Sequence, residues 1–136
     1  MIEMEYNFSK RNESVVLDEG KYNGHDYIIM NVHHDHPCCY IIIPNGNKFY
    51  EVNYDNIPLD CHGGLTYGSH CNPKSGKEDS NWYIGWDYAH LGDHTTFDEM
   101  FGYGIEDPWH RYFTKELLCD VRATIDELIK LGSSND

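Results

Sequence analysis

The first two-thirds of the chain alternate apolar and polar positions at the two-residue period of a strand. Ile2, Met4, Tyr6 and Phe8 alternate with polar neighbours, as a half-buried strand does. Ser14-Val15-Val16-Leu17 predicts a second strand, closed by Asp18-Glu19-Gly20. Tyr27-Ile28-Ile29-Met30-Asn31-Val32 and Cys39-Tyr40-Ile41-Ile42-Ile43 are the strongest strand segments, because β-branched and aromatic side chains fit a pleated surface. His33-His34-Asp35-His36-Pro37 between them predicts a hairpin connection. Pro44-Asn45-Gly46-Asn47 predicts a turn with Gly46 at positive φ. Phe49-Tyr50-Glu51-Val52-Asn53-Tyr54 resumes the alternation. Trp82-Tyr83-Ile84-Gly85-Trp86 predicts the last strand, with Gly85 marking a bulge or a close backbone approach.

The period changes at the C-terminus. Leu117, Val121, Ile125 and Leu128 recur at helical spacing, widened by Leu118 and Ile129. Thr114 is placed to cap this helix, Glu116 lies where the helix dipole favours an acid, and Gly132 follows the end. Asp120, Arg122, Asp126 and Glu127 occupy its other face. Residues 68–81 and 93–110 read as loops. The expected fold is α+β: a mainly antiparallel sheet of about five or six strands, with one amphipathic helix packed on it. With 136 residues, the chain is expected to form a single domain, 1–136.

Charge narrows the function. Ten Lys+Arg against 23 Asp+Glu give a net charge of −13. Such a surface repels phosphates and anionic lipid, so direct binding to nucleic acid or membrane is not expected, whereas a basic protein, a cationic ligand or a metal fits. Aromatic residues make up 14% of the chain, which separates it from disordered acidic tails. No apolar run reaches membrane-span length, and the acidic start Met1-Ile2-Glu3-Met4-Glu5 lacks the pattern of a signal peptide, so a cytoplasmic location is expected. The five Cys include no CxxC pair, and buried reduced thiols are the expectation.

Three clusters carry chemistry. Asp60-Cys61-His62-Gly63-Gly64-Leu65-Thr66-Tyr67 places a His before paired glycines, which open backbone conformations closed to other residues. Asp87, His90, Asp93 and His94 follow Trp86; on a helix Asp87, His90 and His94 would share a face. His62, Asp87, His90 and Asp93 together have the donor types for a divalent metal such as zinc, or for acid–base work. His33-His34-Asp35-His36-Pro37-Cys38-Cys39 has metal-ligand types too, but strand alternation would split them. No phosphate-loop, dinucleotide, hydrolase-elbow or zinc-protease motif occurs.

From Glu78 to His110 the chain has eight acids (Glu78, Asp79, Asp87, Asp93, Asp98, Glu99, Glu106, Asp107) and no Lys or Arg. Trp82, Tyr83, Trp86, Tyr88, Phe97, Phe101, Tyr103 and Trp109 are interleaved with them. Acids beside exposed aromatics suit an Arg-rich partner through steering and cation–π contacts; buried aromatics beneath solvating acids would give the same pattern. Trp82, Trp86, Asp87, Asp93, Asp98, Glu99, Glu106 and Asp107 are therefore the expected binding residues.

The ordered series Tyr40–Pro44, Tyr54-Asp55-Asn56-Ile57, His62-Gly63-Gly64-Leu65-Thr66-Tyr67 and Trp82-x-x-Gly85-Trp86-Asp87-x-Ala89-His90-x-Gly92-Asp93 resembles a small domain family widespread in phages and prophages. The family more usually has Phe at the position of Trp86 and Cys at that of Tyr88, and it lacks the His33–His36 cluster. The resemblance implies a mobile-element origin and a shared pocket around His62, Asp87, His90 and Asp93. It implies no activity. Three functions are consistent with these features. The first is a counter-defence inhibitor of anti-CRISPR or DNA-mimic type, acting in the host cytoplasm on a basic nucleic-acid-handling protein. The second is a metal-dependent hydrolase. The third is a sponge for a nucleotide immune signal, using Arg111, Arg122 and the Gly63-Gly64 turn.

Overall fold

The computed structural model describes residues 14–32, 36–88 and 114–133. Its core is a five-stranded sheet in which every neighbouring pair is antiparallel: β1 (Val15–Tyr22), β2 (His25–Val32), β3 (His36–Ile43), β4 (Tyr67–Cys71) and β5 (Glu78–Asp87). The spatial order is β1-β2-β3-β5-β4. One helix, α1 (Thr114–Gly132), packs on the sheet. This is the expected α+β architecture.

Alternation along the central strands builds two apolar layers. Tyr27 and Ile29 of β2, Cys39, Ile41 and Ile43 of β3, and Ile84 and Trp86 of β5 form one cluster with Leu117, Val121, Ile125 and Leu128 of α1. Ile28, Met30, Cys38, Tyr40 and Tyr83 cluster on the opposite face. The adjacent Cys38 and Cys39 thus go to opposite faces, and all five cysteines are free thiols. Burial pushes the Cys38 thiol up to about 12 and holds Cys39 well above the ordinary thiol value.

The helix follows its sequence pattern closely. Its buried residues, Leu117, Val121, Thr124, Ile125 and Leu128, fall on one face at helical spacing. Thr124 is tolerated inside because its hydroxyl donates to the Asp120 carbonyl. Thr114, expected as the cap, is itself the first helical residue, and Gly132 is the last. The β1–β2 turn docks on the helix: the Tyr22 hydroxyl and the Asn23 amide donate to the two oxygens of Asp126.

Four boundaries differ from expectation. β1 does not stop at Asp18-Glu19-Gly20 but runs through them to Tyr22, with a bulge between Val16 and Asp18. The hairpin that follows turns on Asn23 (φ 47) and Gly24 (φ 83), a two-residue connection whose twist matches the strands. β3 begins at His36, so His36 and Pro37 lie within the strand; His33, His34 and Asp35 lie outside the described residues, as does the expected strand at Ile2–Phe8. Phe49–Tyr54 is not a strand. It is a series of turns with Glu51 at φ 59, leading into a single 3-10 turn at Tyr54–Asn56. The side chains of Asn47 and Asn53 accept from the backbone N–H groups of Phe49 and Asp55, which fixes turns where the apolar alternation alone suggests extension. Residues 68–81 are not one loop: they supply most of β4 and the first part of β5, and only the Asn72–Lys77 segment turns.

Gly85 sits opposite Tyr40 in the β3–β5 ladder. A Cβ there would lie 2.6 Å from the Cys39 carbonyl oxygen and 2.7 Å from the Tyr40 ring, so the expected close approach is present.

Candidate functional site

The paired glycines shape the site. Gly63 (φ 70) and Gly64 (φ 82) both adopt left-handed backbone, and the Gly64 N–H closes the turn on the Cys61 carbonyl at 2.9 Å. Two anchors hold this turn. The Asp60 N–H donates to Glu127 Oε1 of α1 at 3.2 Å, and the Thr66 N–H donates to the Gly85 carbonyl of β5 at 2.9 Å. The turn therefore brings His62 flat against Tyr88, with ring centroids 4.3 Å apart and planes 17° apart.

Tyr88 is the junction of the site. It is fully buried, and its hydroxyl donates to Asp120 Oδ2 of α1 at 2.6 Å while accepting from the Trp86 indole N–H at 3.1 Å. These two hydrogen bonds join β5 to the helix. Beside the stack lies a cleft of about 270 Å³ lined by Asp60, Cys61, His62, Asp120, Ala123 and Thr124. Its ionisable walls are two carboxylates, one imidazole and one thiol. Burial, seconded by Glu127, Asp60 and Asp120, pushes the Cys61 thiol up to about 12. Burial raises the Tyr88 phenol as well. Neither group ionises near neutral pH, so the cleft offers no thiolate or phenolate nucleophile.

Of the expected metal residues, only His62 and Asp87 are among the described residues. Strand alternation puts Asp87 on the face that carries Tyr83 and Cys38, its partner in register, while Trp86 and the His62–Tyr88 stack belong to the helix side. Asp87 accepts from the Thr66 hydroxyl at 2.9 Å. His90 and Asp93 lie outside the described residues, as does His94. Among the described residues no group of three or more His, Cys, Asp or Glu could hold a metal ion.

The expected binding residues divide. Asp93, Asp98, Glu99, Glu106 and Asp107 lie outside the described residues. Trp86 is only 1% exposed: it is a core residue under α1 and has no surface to offer a partner. Tyr83 and Tyr88 are equally buried, so these three aromatics belong to the core. Trp82 is half-buried, its ring 5.0 Å from that of His70. Glu78 and Asp79 are exposed. Asp79 accepts from the Tyr83 hydroxyl at 2.6 Å, which, with the Asn81 N–H and the Asn72 amide, holds its carboxyl below the usual range.

Asp120, expected on the solvent side of the helix, and Asp60 both line the cleft, a role the sequence pattern does not mark. No local pattern marks the pair, because only the packing of the helix brings Asp120 to the Asp60–His62 turn. Among the groups expected to suit an anionic ligand, the Gly64 N–H bonds the Cys61 carbonyl and Arg122 stacks over the Tyr22 ring at 5.6 Å, while Arg111 lies outside the described residues. No helix among the described residues is long and apolar enough to cross a membrane. No protein-family model, curated protein or solved structure matches the chain.

Proposed function

We propose that this protein is a binding protein rather than a catalyst, and that it captures a basic protein partner. The observation that carries this reading is the cleft at His62, where Asp60 and Asp120 face the same space in a chain of net charge −13. Carboxylates at the rim steer a basic partner and pair with its charges; the half-buried His62 ring, backed by Tyr88, adds a flat face in the cleft on which a guanidinium can lie. The protonated Cys61 and the absence of a three-ligand metal group among the described residues give the hydrolase reading no support from this cleft.

The phage-like motifs point to the class of partner. In a mobile-element protein, an acidic surface is suited to occupying the phosphate-binding channel of a basic nucleic-acid-handling host protein, as a DNA mimic does. The test is capture from host lysate at low and moderate salt, with wild type compared to Asp60→Asn with Asp120→Asn. A basic nucleic-acid-binding protein retained by wild type and lost by the folded variant is the expected result. Equal retention by both, or no basic protein retained at either salt, contradicts the reading.

A further inference from the structure

His70 of β4 lies between two groups that only accept hydrogen bonds. Its Nδ1 is 2.7 Å from the Asn81 carbonyl oxygen of β5, and its Nε2 is 2.6 Å from Oε2 of Glu51 in the 47–53 turn. A neutral imidazole has one N–H. If Nδ1 keeps it for the carbonyl, the Nε2 lone pair faces a carboxylate oxygen at contact distance. A second proton must sit in that gap. The ring cannot swing away easily, because Tyr50 and Trp82 flank it edge-on at 5.6 and 5.0 Å.

We propose that His70 and Glu51 form a proton-operated clasp that fastens the 47–53 turn to the β4–β5 hairpin, closed while the imidazole holds both protons and released when it loses one.

The hydrogen-bond partners and charges around the ring favour the closed form, outweighing the desolvation that opposes it. Besides Glu51, the charged groups acting on the ring are Glu78 and Asp79 of β5, both acids. The Glu51 hydrogen bond, then the Asn81 carbonyl, hold the imidazole above its ordinary value. A raised value in the folded state means that the clasp contributes fully below the unfolded imidazole value, near 6.5, and is lost as pH rises through the folded one. Glu51 is also held at φ 59, a backbone region that non-glycine residues rarely adopt, so the turn has a reason to relax when the clasp opens. The same turn carries Phe49, buried in the core, and Lys48, whose ammonium donates to the Leu131 carbonyl at the end of α1. The turn is thereby tethered to the C-terminal end of the helix as well as to the hairpin.

The test is NMR on the intact protein. Imidazole ¹⁵N shifts follow His70 through a pH titration, and amide exchange of residues 47–53, corrected for intrinsic rate, is measured at points along it. The expected result is a His70 midpoint above 6.5 and a rise of about ten-fold in exchange, confined to the turn, as pH passes that midpoint. Glu51→Gln, a change at an exposed position, is expected to lower the midpoint and leave exchange in the turn insensitive to pH. A wild-type midpoint at or below 6.5, or turn protection that does not change across the titration, overturns the clasp.

Discussion

Tyr88→Phe removes one oxygen atom and tests whether the site is held as described. That oxygen makes two hydrogen bonds: a donation at 2.6 Å to a carboxylate, Asp120, and an acceptance at 3.1 Å from the Trp86 indole, in a side chain 1% exposed. A hydrogen bond to a charged group contributes about 1.5–3 kcal/mol, and an orphaned buried donor costs about 1–3 kcal/mol. Asp120 is half-buried and regains water; the indole does not. The expected loss is about 2–4 kcal/mol, with the ring itself still filling its place. For a chain of this length each kcal/mol moves Tm by roughly 3–5 °C, so a fall of about 10 °C is expected. Urea titration should show a lower midpoint with unchanged slope, because the surface exposed on unfolding is the same. Asp120→Asn keeps an acceptor for the phenol and should cost less. A Tyr88→Phe loss below about 0.5 kcal/mol, or Asp120→Asn costing more than Tyr88→Phe, would refute the network.

Other substitutions probe the remaining links. Gly85→Ala should destabilise by about 3 kcal/mol in urea titration, because its Cβ falls about 1 Å inside the usual ~3.5 Å contact with a backbone oxygen that cannot move without breaking the β3–β5 ladder. Gly64→Ala should cost about 1 kcal/mol, from its φ of 82° alone, since nothing lies within 4 Å of the added carbon. Lys74→Ala removes an ion pair to Glu19 whose side chains are 41% and 49% exposed, so any change should stay within about 0.5 kcal/mol. With a thiol reagent at neutral pH, exposed Cys119 should label promptly in the native protein, and Cys38 and Cys39 only on unfolding.

How much the sequence reveals depends on whether a segment is buried on one side. α1 and the central strands declare themselves because each packs a regular face, at 3.6 or 2 residues, against the core. Gly85 declares its close approach because a glycine between Ile84 and Trp86 in a strand has few other uses. β4 and the start of β5 are hidden by the same logic: Glu78, Asp79 and Ser80 are exposed, so no two-residue period marks them. The reverse error falls at Phe49–Tyr54, where alternating apolar residues pack inward from turns fixed by Asn47 and Asn53. Asn23-Gly24 was a legible hairpin signal, as a two-residue Asn-Gly connection is the strongest of its kind. The His62 motif is locally readable, but its cleft is not, because Asp120 arrives from a helix nearly sixty residues further on. His70 was submerged in a polar segment, and only the fold sets it against Glu51.

The central claim is that a cation is received at the His62 cleft and not by the acidic surface at large. It is tested most directly by following backbone amide shifts while an arginine-rich peptide is added, at 50 and 200 mM salt, with a neutral peptide of equal length as control. Saturable shifts are expected, concentrated at Asp60–Gly64 and Asp120–Thr124, persisting at the higher salt and weakened about ten-fold by Asp60→Asn, a change of about 1.4 kcal/mol. Shifts scattered over Glu19, Asp55, Glu78 and the other exposed acids, vanishing at the higher salt and indifferent to Asp60→Asn, would contradict the claim.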